Sequence, residues 1–258
     1  MRYTQAIVRP PGSNYAHGQT SSSALGAPVM AMALAQHQAY CAALRGCGLE
    51  LTVLDVDDGY PDSTFVEDVA VIAERVAVAT RPGAPSRAGE VASMLGVLRA
   101  LGREVESIEA PGTVDGGDIC QADEHFLIGV SSRTNDHGAR QVAAILERHG
   151  YRASLVDVRG VHGLLHLKSG LSYLGEGRLV VAPQVPHDGA LAEFERIELA
   201  AGESYAANTL CINDRVLVAA GFPGLVAALA VRKLTVQSLE MSEFRKMDGA
   251  LTCLSLRF

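Results

Sequence analysis

Short apolar runs broken by two polar residues recur four times along the chain. They are VAVIA-ER-VAVAT around Glu74, DICQA-DE-HFLIG around Glu124, LSYLG-EG-RLVVA around Gly177 and TLCIN-DR-VLVAA around Asp214. Two β-favouring runs joined by a two-residue polar turn predict a hairpin. Between the hairpins the apolar spacing becomes helical. Met30, Ala33, Leu34, His37, Cys41 and Leu44 share one side of a helix predicted from about Pro28 to Arg45. Val91, Met94, Leu95, Leu98 and Leu101 form a second apolar face, closed by Gly102, and Val142, Ile145 and Leu146 a third, closed by Gly150. Short strands are predicted after the helices, at 51–56, 105–108, 155–158 and 234–239. The fourth unit is compressed, with only a short helix near 190–194.

The repeating unit is thus hairpin, helix, strand, loop. Five units result if a last strand at 252–258 pairs with a first at 4–8. Two arrangements accommodate them: a closed ring, which removes free sheet edges, or an open α/β sandwich with mixed strands. The regular spacing favours the ring, whose loops would converge at one end and carry the functional residues. Nothing reads as a linker, so residues 1–258 are expected to form a single domain.

Composition narrows the function. The 258 residues are 48% hydrophobic and 20% charged, which excludes a disordered chain. The net charge of −7 argues against a nucleic-acid partner, since phosphate binding needs clustered Lys and Arg. The best apolar run, 225–231, is far short of a membrane span, and no hydrophobic signal segment opens the chain. The five cysteines form no CxxC pair, so a cytoplasmic setting is expected, with no structural zinc site.

Four loops carry candidate chemistry. Asp62, Glu67 and Asp68 lead into the apolar VAVIA strand. They are either a solvated acidic turn or a site for a cation, metal or guanidinium, and no nearby histidine or calcium-loop spacing favours the metal. Asp115 and Asp118 flank two glycines, as an ordinary Asp-Gly turn or as a place where a substrate approaches the backbone. His162 and His166 lie four residues apart in VHGLLHLKSG. Cys253 stands where the last loop meets the terminal strand; the other four cysteines read as small core residues. Cysteine, histidine and aspartate together supply a nucleophile, an acid/base and its orienter. Carboxylates near a thiol raise its pKa, which makes sense when the substrate is itself a cation that stabilises the thiolate.

The segments PDSTFVEDVAV, TRPGAPSR, EAPGTVDGGDI, SSRTN, LHLKSGLSYL, ESYAAN and EFRKMDGALTCLSLRF closely resemble the bacterial dimethylarginine dimethylaminohydrolases of the guanidino-group-modifying superfamily. The resemblance spans almost the whole chain and implies a five-bladed pseudo-symmetric α/β propeller, the pentein fold. It implies hydrolysis of methylated arginine to citrulline through a covalent thiouronium, with no cofactor or metal. Cys253 resembles the nucleophile, His166 the acid/base and Asp115 the residue orienting it, which leaves His162 structural. Glu67 and Asp68 match guanidinium contacts, and Asp62 a residue near the α-amino group. Arg87 and Arg133 match the pair holding the α-carboxylate, and the Met247 carbonyl an acceptor for the amino group. Gln19, in a loop near the N-terminus, replaces an apolar residue of the relatives, often Leu, and bears on the preference for methylated substrate. A homodimer is compatible with the resemblance. The alternative chemistry is hydrolysis of unmethylated arginine, as in arginine deiminases, which are usually longer and carry an extra helical insertion.

Overall fold

The computed structural model describes residues 2–187 and 189–258, in two compact units, Met1–Val66 with Thr209–Phe258 and Glu67–Asn208. The first unit begins with β1 (Gln5–Val8), which α1 (Met30–Gly46) connects to β2 (Glu50–Val53). β2 runs parallel to β1, and a parallel pair needs such a crossover.

The second unit repeats one module. β3 (Ala70–Ile72) and β4 (Ala77–Ala79) form a hairpin, and α2 (Glu90–Ala100) leads to β5 (Val105–Ser107), parallel to β4. β6 (Ile119–Ala122), β7 (His125–Val130), α3 (Asp136–Arg148) and β8 (Arg152–Asp157) repeat the pattern. β9 (Leu171–Tyr173), β10 (Arg178–Val181) and β11 (Glu195–Glu198) repeat it with one 3-10 turn, Gly189–Leu191, in the connection.

Back in the first unit, β12 (Leu210–Ile212) and β13 (Arg215–Ala219) form a hairpin, and α4 (Pro223–Val231) leads to β14 (Thr235–Leu239), parallel to β13. The short α5 (Ser242–Arg245) precedes β15 (Leu256–Arg257), which pairs antiparallel with β1. The described residues therefore hold five three-stranded sheets, each with a middle strand paired antiparallel on one side and parallel on the other. All residues of β4 and β7 are buried, which explains their nearly unbroken apolar sequence, whereas the parallel edge strands β2 and β8 are largely exposed or half-buried.

Three expectations need correction. The compressed unit holds no helix at 190–194, only the 3-10 turn, and its edge strand ERIE was masked by charge. The last hairpin turns at Asn213–Asp214, one residue earlier than expected, because Ile212 pairs with Arg215 and Asn213 accepts a φ of 51°. The terminal strand shrinks to Leu256–Arg257, because Thr252–Leu254 coils into a 3-10 turn.

In the second unit α3 buries Ala139, Val142, Ala143, Ile145 and Leu146 against Val76, Val78, Phe126 and Ile128. Phe126 meets Tyr151 edge-on at 5.1 Å between ring centroids. Phe126→Ala is expected to lower the unfolding free energy by about 3–5 kcal/mol, as large core truncations do. Urea titration would read this, and a loss below roughly 1 kcal/mol would contradict the packing described.

Candidate active site

The second unit gathers most of the candidate residues around one buried imidazole. His166 opens the 3-10 turn Leu167–Ser169, its main-chain N–H donating to Ser169 Oγ at 3.2 Å. Its Nε2 lies 3.0 Å from Asp115 Oδ2. The other Asp115 oxygen accepts the Gly83 N–H at 2.8 Å, and Asp115 donates its own N–H to Thr134 Oγ1 at 3.1 Å. Both side chains are buried, so the pair is desolvated and directional. A Cβ added to Gly117 would come within 2.6 Å of His166 Nδ1 and 2.9 Å of Asp68 Oδ1. Glycine there lets the acidic loop close onto the ring.

The carboxylates leading into β3 are met by cations of the chain itself. Asp68 takes the Arg87 guanidinium at 2.5 Å and the Gly117 N–H at 3.0 Å. Arg87 also forks onto Glu90, with Nε–Oε1 at 3.0 Å and Nη2–Oε2 at 2.7 Å. Lys168 reaches Glu67 at 2.5 Å. All five of these side chains are buried. Arg133 is half-buried, and its main-chain N–H donates to Ser131 Oγ at 3.0 Å.

This field sets the proton on His166. Burial alone would push the imidazole pKa down. The charge of Asp68, the hydrogen bond to Asp115, and the charges of Asp118 and Asp115 outweigh it, and the pKa is pushed up to about 9 from 6.5. Burial likewise works to raise Asp115, but the His166 hydrogen bond and charge, the Gly83 N–H and Arg87 hold its carboxyl below the usual range. Burial dominates at Asp118 and leaves its pKa raised, despite His166, Ser131, Thr134 and the Leu167 N–H.

The first unit places its candidates separately. Tyr15, Phe65 and Phe244 pack edge to edge or tilted, with centroids 5.7–6.4 Å apart, and tie the loops around 62 and 247 together. The buried Asp62 accepts the Gln19 N–H on both oxygens, at 3.2 and 3.3 Å. Gly18 lies against the Asp62 carboxylate and the Met247 side chain. The Gln19 side chain is exposed, and Met247 is buried. Cys253 sits half-buried in the 3-10 turn Thr252–Leu254, two residues before Ser255, whose Oγ is 2.6 Å from Tyr40 Oη. None of the five cysteines is in a disulfide. His162, expected as a structural residue, is exposed on a turn.

Asp68, Asp115 and His166 offer three ligand atoms within 4.8 Å of one another, the spacing of a metal site. Their oxygens, however, already accept from Arg87, Gly117, Gly83 and His166, so the chemistry of the set is that of a hydrogen-bonded proton site. Glu104, Glu106 and His149 have similar spacing, but Glu106 is engaged by Arg148 and His149.

Sequence reasoning missed Glu90 and Lys168. Glu90 stood in the place of an ordinary acidic residue at a helix N-terminus, three residues after Arg87. Lys168 lies between the buried Leu167 and Leu171, a setting in which a lysine needs an anion.

No family model matches the chain. It is 44% identical over 257 residues to the N(G),N(G)-dimethylarginine dimethylaminohydrolase of Pseudomonas aeruginosa, covering 99% of this chain and 100% of that protein. It is 35% identical over 253 residues to the protein of the same name from Streptomyces coelicolor, covering 98% and 96%. Its structure matches that of a cysteine-to-serine DDAH from Pseudomonas aeruginosa complexed with citrulline, with a TM-score of 0.95, 43% identity and full coverage of both chains. The N-terminal domain of a cyanobacterial arginine dihydrolase has a TM-score of 0.88 at 18% identity, covering 98% of this chain and 97% of that one, a likeness of fold alone. The expected fold class, an α/β propeller of five repeated blades, is the one these likenesses establish.

The raised pKa of His166 has a defined sign in stability. Its contribution is fully present below the unfolded value of 6.5 and is lost as pH rises through about 9. Urea midpoints of the unmodified protein should therefore fall between pH 6.5 and 9 relative to those of His166→Gln; parallel curves would contradict this.

Proposed function

This chain belongs to the dimethylarginine dimethylaminohydrolase family, and on that basis we propose that it hydrolyses Nω-methylated arginine to citrulline and dimethylamine or methylamine. The observation that carries the reading is the buried His166–Asp115 pair, a proton donor charged at neutral pH, in a chain that matches the family over its full length. A second observation supports the choice of residues. Two solved relatives carry a cysteine-to-serine and a histidine-to-glycine replacement, the latter as an adduct with S-methyl-L-thiocitrulline. The replaced positions are as far apart in sequence as His166 and Cys253.

In this reading residues 1–258 act as one catalytic domain, in the cytoplasm. Cys253 attacks the guanidinium carbon as a thiolate, which the substrate's own positive charge stabilises. The imidazolium of His166 gives its proton to the departing nitrogen, and the C–N bond breaks to release the neutral amine. A cationic thiouronium remains on sulfur. His166, now neutral, takes a proton from water, and the hydroxide adds to the same carbon. The C–S bond then breaks, the thiolate is restored, and the protonated ureido group of citrulline releases its proton to solvent.

Glu67 and Asp68 face the guanidinium, and Asp62 and the Met247 carbonyl take the α-amino group. Arg133 and Arg87 hold the α-carboxylate, with Glu90 fixing the orientation of Arg87. The Gln19 main chain stays tied to Asp62 while its side chain faces outward, so the loop closes through backbone rather than through an apolar cover.

Cys253→Ser should lower citrulline formation from asymmetric dimethylarginine by about a thousandfold or more. Turnover near that of the unmodified protein would end the reading. Arg133→Met and Arg87→Met should each raise KM about 10- to 100-fold, the worth of a charged hydrogen bond. Unchanged KM in both would remove them from substrate binding. Rates on monomethylarginine and asymmetric dimethylarginine should exceed that on arginine; a faster rate on arginine would assign the chain a deiminase activity instead.

A further inference from the structure

We propose that Asp118 is a positioning residue that holds the loop bearing His166 and the loop bearing Arg133 in fixed relation. The roles of those two residues rest on the hydrolase reading above. Asp118 ends the 3-10 turn Gly116–Asp118, three residues after Asp115, and is 0% exposed. Its Oδ1 accepts the Leu167 N–H at 2.8 Å, directly after His166. Its Oδ2 accepts the Ser131 hydroxyl at 2.6 Å.

Ser131 Oγ in turn accepts the Arg133 N–H at 3.0 Å and the Thr134 N–H at 3.1 Å. With both lone pairs engaged, its proton is committed to Asp118. Thr134 Oγ1 accepts the Asp115 N–H, and the Asp115 carboxylate meets the His166 ring. One acidic turn thus grips the imidazole through Asp115, the chain beside it through Asp118, and the Arg133 loop through Ser131.

Room for this arrangement is built into β7. A Cβ added to Gly129 would come within 2.6 Å of Asp118 Oδ1 and 2.7 Å of Leu167 Cβ. An asparagine at 118 keeps the shape, but it either turns an amide N–H toward a hydroxyl already holding two donors or loses the Leu167 bond. It also removes one of the three carboxylates acting on His166. The others are Asp68, itself paired with Arg87, and Asp115; Lys168, on the His166 turn, is paired with Glu67.

The experiment compares Asp118→Asn, Asp118→Glu and Ser131→Ala by kinetics on dimethylarginine, by NMR titration of the His166 ring, and by amide exchange at Arg133 and Thr134. Asp118→Asn should raise KM about tenfold, move the basic limb of kcat to lower pH, and speed exchange at both amides. Asp118→Glu, which keeps the charge, should restore the basic limb. Ser131→Ala should raise KM and speed exchange while leaving the His166 titration in place. A folded Asp118→Asn with unchanged KM, limb and exchange would overturn the proposal. If Asp118→Asn does not fold, Ser131→Ala decides alone, and unchanged KM and exchange would overturn it. Should the unmodified protein form no citrulline, the hydrolase reading fails, and the titration and exchange still decide whether Asp118 links the two loops.

Discussion

The acidic surroundings of one buried histidine are the constraint on which the second unit turns. Asp68, Asp115 and Asp118 are each at most 4% exposed. Carboxylates removed from water are destabilising unless their oxygens are met by donors or cations. Each has its own solution. Asp68 has Arg87 and a main-chain amide, Asp115 has His166 and a main-chain amide, and Asp118 has the Ser131 and Thr134 hydroxyls and a main-chain amide. Removing any one partner would leave a buried charge uncompensated, so the loops that carry these groups are fixed together.

That arrangement also has a chemical use. A histidine in an apolar interior would be neutral, as burial pushes His37 down to about 4 in α1. His166 is as thoroughly buried, yet its carboxylate neighbours hold the proton on it. The same burial therefore yields two different acids, and the difference is the placement of negative charge. A ring charged at neutral pH suits a reaction whose leaving group is an amine, since an amine departs from carbon only when it is protonated.

Much of this could be read in the sequence, for physical reasons that differ by element. Hairpins such as β6–β7 announce themselves because the buried central strand is an almost unbroken apolar run and the two-residue turn is polar. The edge strand Glu195–Glu198 does not, because a half-exposed strand tolerates charge. Asp115, His166 and the Glu67–Asp68 pair stood out as ionisable groups beside apolar runs. Their partners Glu90 and Lys168 did not, because a buried ion pair is written with the same residues as a solvated surface. The acidic loop invited a cation, and part of that demand is answered by the chain's own Arg87 and Lys168, which folding brings to it from distant parts of the sequence.

The account stands or falls on whether His166 holds its proton through the neutral range in the free protein. The dependence of kcat/KM on pH, measured with asymmetric dimethylarginine, reads this directly. The account predicts that the basic limb contributed by His166 falls near pH 9. A limb centred near 6.5, the ordinary imidazole value, would show that the carboxylates do not govern the ring.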